Sequence, residues 1–238
     1  MGSWLHDSHI DEVLALKRLR QTNNGDLLYP NCAITDVAFG QMLVSTYRNL
    51  LKKAIGTSVA KGGKRKRSGT EDLDCVPNDF KFDDKMMQYV MGDRPKYGHS
   101  WAKVKSVYCI IMVKEMHWIA VVALLKERLL KILDCNPIIY RDRQLEAELE
   151  PLSVLFPRLL HDSGMFEHLG GEALIGKLPL KRVLVPTNKS SADCGAYALK
   201  FIQFDMTNTP MDGLNDETMT IFRERWAVEC FHGEMDLF

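Results

Sequence analysis

The stretch KSVYCIIMVKEMHWIAVVALLKERLLKILDCNP, residues 105–137, holds three apolar runs parted by two short charged breaks. The runs, about Val107 to Val113, His117 to Leu125 and Leu129 to Leu133, are rich in β-branched residues and too short for helices, so they predict three strands. Lys126-Glu127-Arg128 has the length of a tight hairpin turn. Folding the chain about Glu127 sets Asp134 opposite Ala120 or Ile119. Ile119 shares a strand face with His117, because side chains alternate along a strand. Asp134 and His117 thereby become diagonal cross-strand neighbours, about 7–8 Å apart at the backbone and nearer at the side-chain tips. Singly, an aspartate after a strand is commonly a turn residue and a histidine can simply open a strand. Together they form the pair in which a carboxylate fixes an imidazole tautomer while the other ring nitrogen faces a nucleophile.

A nucleophile is available in VPTNKSSADCGAYALKFIQF, residues 185–204. Lys181 to Val185 reads as a short strand closed by Pro186, and Tyr197, Ala198, Phe201 and Ile202 recur at helical spacing. With Asp193 as N-cap, Cys194 falls on the first helical turn, where unpaired N–H groups and the positive end of the helix dipole favour a thiolate. A lone cysteine is most often a small buried hydrophobe. Gly195 beside it, which lets another backbone approach closely, suits a nucleophile better than a core filler.

The whole-chain composition bounds the reading. The chain has 238 residues, 46% of them hydrophobic, enough for one substantial core, and is read as a single domain over residues 1–238. With 31 basic and 31 acidic residues, a broad nucleic-acid-binding surface is not expected. The six cysteines show neither Cys-x-x-Cys spacing nor a regular framework, which argues against structural zinc and a secreted disulfide scaffold. No metal or other cofactor is expected. No apolar run approaches membrane-spanning length and no signal-peptide pattern opens the chain, so a soluble, intracellular protein with no membrane partner is expected.

Ser8 with Asp11 forms a capping-box pattern before a helix through about Arg20, and a second helix is predicted from near Thr35. A flexible surface insertion is expected at about residues 56–79, where Gly62-Gly63, a basic run and an acidic stretch erase periodicity. The region 141–156 reads as broken helix, and a last helix is predicted from about Asp216 to Cys230. The pattern predicts an α+β fold, helices packed on a mostly antiparallel sheet.

The ordered set His117-Trp118, Asp134 and Asp193-Cys194-Gly195, with SWLHDSHIDEVLAL near the start, resembles the SUMO-specific (ubiquitin-like-protein-specific) cysteine proteases, most closely their plant and transposon-associated branch. The resemblance runs from Trp4 to about the last helix. It implies a papain-like cysteine protease architecture with the catalytic residues in the order His, Asp, Cys, the reverse of papain. It further implies cleavage after the C-terminal Gly-Gly of SUMO or a related ubiquitin-like protein, which would be the chain's partner, in maturation or deconjugation. Cys194 would attack the carbonyl, His117 would move the proton and Asp134 would orient His117. Trp4 and Trp118 match the two tryptophans flanking the Gly-Gly tunnel, and Asp7 matches an acidic position that contacts a basic residue on SUMO. The alternatives are a weakened transposon-derived remnant that still binds a ubiquitin-like protein, or a protease for a different modifier.

Three departures from the family pattern stand out. Cys135 occupies a position where serine is common, the segment before His117 lacks a proline-containing phrase, and the oxyanion-hole glutamine upstream of the cysteine is absent. Asn188 sits six residues before Cys194 and is the expected donor, while Thr187 sits where plant-type relatives often carry the glutamine. The family's frequent nuclear setting, with the basic cluster Lys64-Arg65-Lys66-Arg67, points to a nuclear rather than a cytoplasmic location.

Overall fold

The computed structural model describes residues 4–24, 31–60, 76–167, 176–189 and 192–233. The three apolar runs form β2 (Ser106–Val113), β3 (His117–Leu124) and β4 (Leu129–Leu133), an antiparallel meander at the centre of a five-stranded sheet. β1 (Cys32–Ile34) and β5 (Leu180–Val183) add one strand at each edge, both parallel to their neighbours. The expectation of a mostly antiparallel sheet thus holds for the three central strands, whereas the edges make the sheet mixed. Each edge strand reaches the sheet from a distant part of the sequence rather than through a hairpin. β1 is too short for alternation to reveal it in the sequence.

Side-chain alternation divides the core in two. Val107, Cys109, Ile111, Ile119 and Val121 face α2 (Val37–Ala60), α3 (Asp84–Met91) and α4 (Asp142–Asp162). Tyr108, Ile110, Trp118, Ala120 and Leu133 face α1 (Asp7–Asn24), α5 (Cys194–Met206) and α6 (Asp216–His232). The arrangement is a sheet between two helical layers, which is why β3 is buried nearly throughout. Gly40 lets α2 lie against the sheet, since a Cβ there would meet Ile111 Cδ1 at 2.4 Å.

Several helices depart from the expected form for identifiable reasons. The predicted capping box at Ser8 does not start α1, which begins at Asp7. Asp11 instead accepts a hydrogen bond from the Val37 N–H at 2.7 Å, and Asp36 accepts one from the Phe39 N–H at 3.0 Å. Two carboxylates thereby satisfy the first turn of α2 and tie it to α1. The region expected to be a broken helix is the continuous α4, although Pro151 and Pro157 lie inside it. Pro157 has no N–H for the Ser153 carbonyl four residues earlier. That carbonyl accepts from the Leu178 N–H at 2.9 Å instead, and the Ser153 hydroxyl donates to the Leu178 carbonyl. The same exchange fixes the segment leading into β5. The expected insertion at about 56–79 falls largely outside the described residues, and α2 continues to Ala60. Among the described residues no helix is long and apolar enough to cross a membrane.

Candidate active site

His117 enters β3 from a turn in which Lys114 (φ 49°) and Glu115 (φ 57°) both adopt the left-handed conformation, closed by the Met116 N–H donating to the Val113 carbonyl at 3.0 Å. Consecutive left-handed residues match the twist of a hairpin. In the β3–β4 pairing Ala120 faces Leu133, so Asp134 follows opposite Ile119, diagonal to His117 as the spacing predicted. His117 Nε2 donates to Asp134 Oδ1 at 2.8 Å, and the Asn136 N–H donates to the same oxygen at 2.8 Å. Both side chains are almost wholly buried, at 1% and 2% exposure.

Asp134 Oδ2 lies 3.2 Å from Arg182 Nη2 without a hydrogen bond between them, so the guanidinium acts on it as a charge rather than a donor. Arg182 stands on β5 opposite Ile132, two residues before Asp134 on the neighbouring strand. It is held by donating to the Tyr140 carbonyl at 2.9 Å and by an ion pair with Asp142 at 2.9 Å. The sequence reading used this residue only as part of a strand. Lys181 and Arg182 are adjacent cations on β5, and only the parallel pairing with β4 shows which of them faces Asp134.

Cys194 begins α5, 2% exposed, and accepts a long hydrogen bond from the Trp118 N–H at 3.5 Å. With Nε2 of His117 given to Asp134, Nδ1 is the nitrogen left to the Cys194 thiol. Burial lowers the pKa of His117, yet hydrogen bonds to Asp134 and Cys194 and the charges of both outweigh it and raise the group to about 9. Burial also opposes ionisation of Asp134. The hydrogen bonds from His117 and Asn136 and the charges of His117 and Arg182 nevertheless hold its pKa below the ordinary carboxylate value. An imidazolium at neutral pH, anchored on one side by a carboxylate and facing a sulfur on the other, is equipped to hold a thiolate and to deliver a proton.

Asp193 stands at the N-cap position of α5, but its side chain makes no capping bond. It pairs instead with Arg223 of α6 at 2.8 Å, which fixes the loop before Cys194. Gly195 is needed for close approach, because a Cβ there would lie 3.1 Å from Ile10 Cδ1, 3.1 Å from Trp118 Cδ1 and 3.3 Å from Leu5 Cβ. Trp118 is 1% exposed and its Nε1 donates to the Leu5 carbonyl at 2.9 Å, while Trp4 packs half-buried against the same cluster. Both tryptophans therefore lie on the Cys194 side of the sheet, joined through the segment before α1. Asn188 is buried and its N–H donates to the Cys135 carbonyl at 2.9 Å, whereas Thr187 is exposed. Asp7 lies apart from this cluster, exposed at the start of α1, and accepts from Gln41 Nε2 at 2.7 Å.

His117, Asp134 and Cys135 bring ligand-capable atoms within 4.8 Å of one another. They make a poor metal site, because Nε2 is already committed to Asp134 and burial, with the charges of Cys194 and Asp134, keeps the Cys135 thiol protonated. A groove of about 950 Å³ lies between α2, β2 and α4, lined by Gln41, Arg48, Lys52, Ile111, Lys114 and Glu148 among others. It stops at the Lys114–Glu115 turn and so lies beside His117, not on it.

A family model described as the Ulp1 protease family, C-terminal catalytic domain, matches residues 72–233. Comparison with curated protein sequences gives no significant match. Among solved structures, the yeast C-terminal Ulp1 protease domain in complex with Smt3, the yeast ortholog of SUMO, superposes with a TM-score of 0.56 at 14% identity, over 96% of this chain and 77% of that one. The catalytic domain of the Chaetomium thermophilum Ulp1-like SUMO protease gives 0.54 at 14% identity, over 98% and 74%. The Xanthomonas campestris effector XopD bound to ubiquitin gives 0.50 at 14% identity, over 96% and 92%. These likenesses establish a common fold.

Proposed function

The chain belongs to the Ulp1 protease family of cysteine-type peptidases, and from that premise we propose that it cleaves after the C-terminal Gly-Gly of SUMO or a related ubiquitin-like protein. The carrying observation is the buried pair in which Asp134 Oδ1 accepts a hydrogen bond from His117 Nε2 at 2.8 Å while the other ring nitrogen meets the Cys194 thiol. In this reading the Cys194 thiolate attacks the carbonyl carbon of the Gly–Lys isopeptide or peptide bond, His117 protonates the leaving amine, and water then releases the acyl group from sulfur with His117 as base. Asp134 keeps the ring in place and stabilises its charged form.

Asn188 rather than Thr187 is the proposed side-chain donor to the oxyanion, beside the Cys194 N–H. Its support is its inward, buried position on a loop pinned to Cys135, against the exposure of Thr187. Trp4 and Trp118 are proposed to wall the channel for the glycine tail, which admits residues without side chains. The complexes of the yeast domain with Smt3 and of the Xanthomonas effector with ubiquitin support a ubiquitin-like partner. Its folded body would rest over the groove at α2, with Asp7 at the groove's Gln41 end. A nuclear location is proposed from Lys64-Arg65-Lys66-Arg67, and a reporter carrying residues 56–80 that stays cytoplasmic would remove it.

The test exposes the protein to SUMO, ubiquitin and a third ubiquitin-like protein, each ending in a carbon electrophile. A covalent adduct at Cys194 with one of them is expected and identifies the substrate class. Stable binding without an adduct would replace this reading by that of an inactive binding module.

A further inference from the structure

The surface on the two sides of His117 differs in kind. On the β2 side lies the groove with Gln41, Arg48, Lys52 and Glu148 in its lining, which ends at the Lys114–Glu115 turn. On the β4–β5 side, large apolar side chains stand in solvent on two segments that adjoin the catalytic carboxylate. The first is the turn after Asp134, closed by the Ile139 N–H donating to the Asn136 carbonyl at 3.2 Å. Pro137 fixes its first corner and Ile138, 91% exposed, forms its second. This turn is tied to the site, since the Asn136 N–H donates to Asp134 Oδ1 at 2.8 Å and the Tyr140 ring lies 6.4 Å from that of His117. The second segment is the end of β5. Val183 pairs with Leu133, so the parallel register carried one residue further sets Leu184 beside Asp134, and Leu184 is fully exposed. Arg182, on the same strand face as Leu184, donates to the Pro137 carbonyl at 3.4 Å and to the Tyr140 carbonyl at 2.9 Å, which draws the turn and the end of β5 together. Met116, also exposed, precedes His117 itself. A lone exposed apolar residue needs no explanation, but several on segments that converge on one catalytic pair mark a contact surface.

We infer that Ile138 and Leu184, with Met116 at their edge, seat the acceptor protein of the conjugate and favour acceptor lysines that have apolar residues within two positions. The inference rests on the protease reading given above. The chemistry decides which side the acceptor takes. When the Cys194 sulfur bonds the carbonyl carbon, the carbon–nitrogen bond breaks and the lysine nitrogen takes its proton from His117, so the acceptor lysine passes within hydrogen-bond reach of that ring. The seat proposed for the modifier occupies the groove on the β2 side, which leaves the β4–β5 side to the acceptor. Arg182 offers it little, being committed to Asp142 at 2.9 Å and to two main-chain carbonyls. What the acceptor meets is the apolar pair. The Pro137 turn holds Ile138 in place before anything binds, so little ordering cost is left to offset the contact.

The test joins SUMO, or ubiquitin if that is the modifier Cys194 captures, through its terminal glycine to the lysine of a fluorescent peptide. In one peptide the two residues on each side of the lysine are leucine, in the other they are serine, and a third substrate carries only aminocoumarin on the glycine. The parent is expected to cleave the leucine conjugate with a kcat/KM about tenfold above that of the serine conjugate, the worth of partly burying one leucine side chain. Combining Ile138→Ser with Leu184→Ser is expected to bring that ratio to about one while aminocoumarin release is retained. Both positions are exposed, so the double variant keeps its core. Equal rates of the parent on the two conjugates, zero included, or a ratio that the double variant keeps, overturn the inference alone. So does a parent dimer that the double variant disperses in sedimentation, which assigns this surface to a second copy of the chain. A parent that releases aminocoumarin from neither modifier overturns the protease reading and this inference with it.

Discussion

Replacing Asp134 by asparagine removes one charge at constant size, and the hydrogen bonds around it leave the new amide no good orientation. Oδ1 accepts from both His117 Nε2 and the Asn136 N–H, each at 2.8 Å. If the amide oxygen takes that place, its NH2 points at the Arg182 guanidinium, now 3.2 Å away as a second cation-side donor. If the amide is flipped, its NH2 meets the Asn136 N–H and can bond His117 only when Nε2 carries no proton, the wrong tautomer. The present rise of the His117 pKa from 6.5 to about 9 corresponds to about 3 kcal/mol of preference for the imidazolium. Much of it comes from the carboxylate, and burial opposes it. Asp134→Asn should therefore lower turnover by about ten-thousand-fold, the loss seen for the same change in serine triads. It should also move the alkaline limb of the pH profile. In the parent, activity carried by the imidazolium–thiolate pair falls as pH rises through about 9, and in the variant this fall comes at lower pH. The assay is release of a fluorogenic amide from the C-terminus of the modifier found by the electrophile test, run from pH 5 to 10 with folding checked by circular dichroism. A folded variant within tenfold of the parent, with its alkaline limb unmoved, would refute the role given to Asp134.

Arg182→Gln should raise the Asp134 pKa and weaken acid-side activity, with a stability loss of about 1–3 kcal/mol from the lost pairs with Asp142 and Tyr140; chemical denaturation and the acid limb of the rate profile measure both. Gly195→Ala should cost about 1–3 kcal/mol by crowding Ile10, Trp118 and Leu5, and should loosen the Trp118–Leu5 bond, visible as a change in tryptophan fluorescence without loss of secondary structure. Asn188→Ala should reduce turnover about a hundred- to a thousand-fold with KM little changed, while Thr187→Gln leaves turnover where it was; the opposite pair of results moves the oxyanion donor to position 187. Lys17 is fully buried, shares the Gln203 amide oxygen with Lys200 at 3.0 Å each, and is lowered to about 7 by burial first and then by the charge of Lys200. Since the unfolded lysine binds its proton up to about 10.5, the cost of burying it is complete below pH 7 and fades as pH rises toward that value. Lys17→Met should thus stabilise the fold by about 1–4 kcal/mol at pH 6 and by less at pH 9, read from denaturation midpoints.

The central sheet and the meeting of His117 with Asp134 were legible in the sequence, because both follow from local rules. A three-residue break sets a hairpin, the hairpin sets the register, and alternation then sets which side chains share a face. The start of a helix at Cys194 was legible for a similar reason, since a polar loop before apolar residues at helical spacing marks a boundary. The strands β1 and β5 gave less, being three and four residues long and held by parallel partners that no turn announces. The continuity of α4 was hidden, because a proline inside a helical pattern reads as a break unless another chain segment satisfies the freed carbonyl, as Leu178 does here. Arg182 on Asp134, Arg223 on Asp193 and the Leu5 carbonyl on Trp118 were likewise decided by the tertiary structure alone. Each joins residues from 30 to 113 positions apart, and no periodicity within either segment encodes the other's distance.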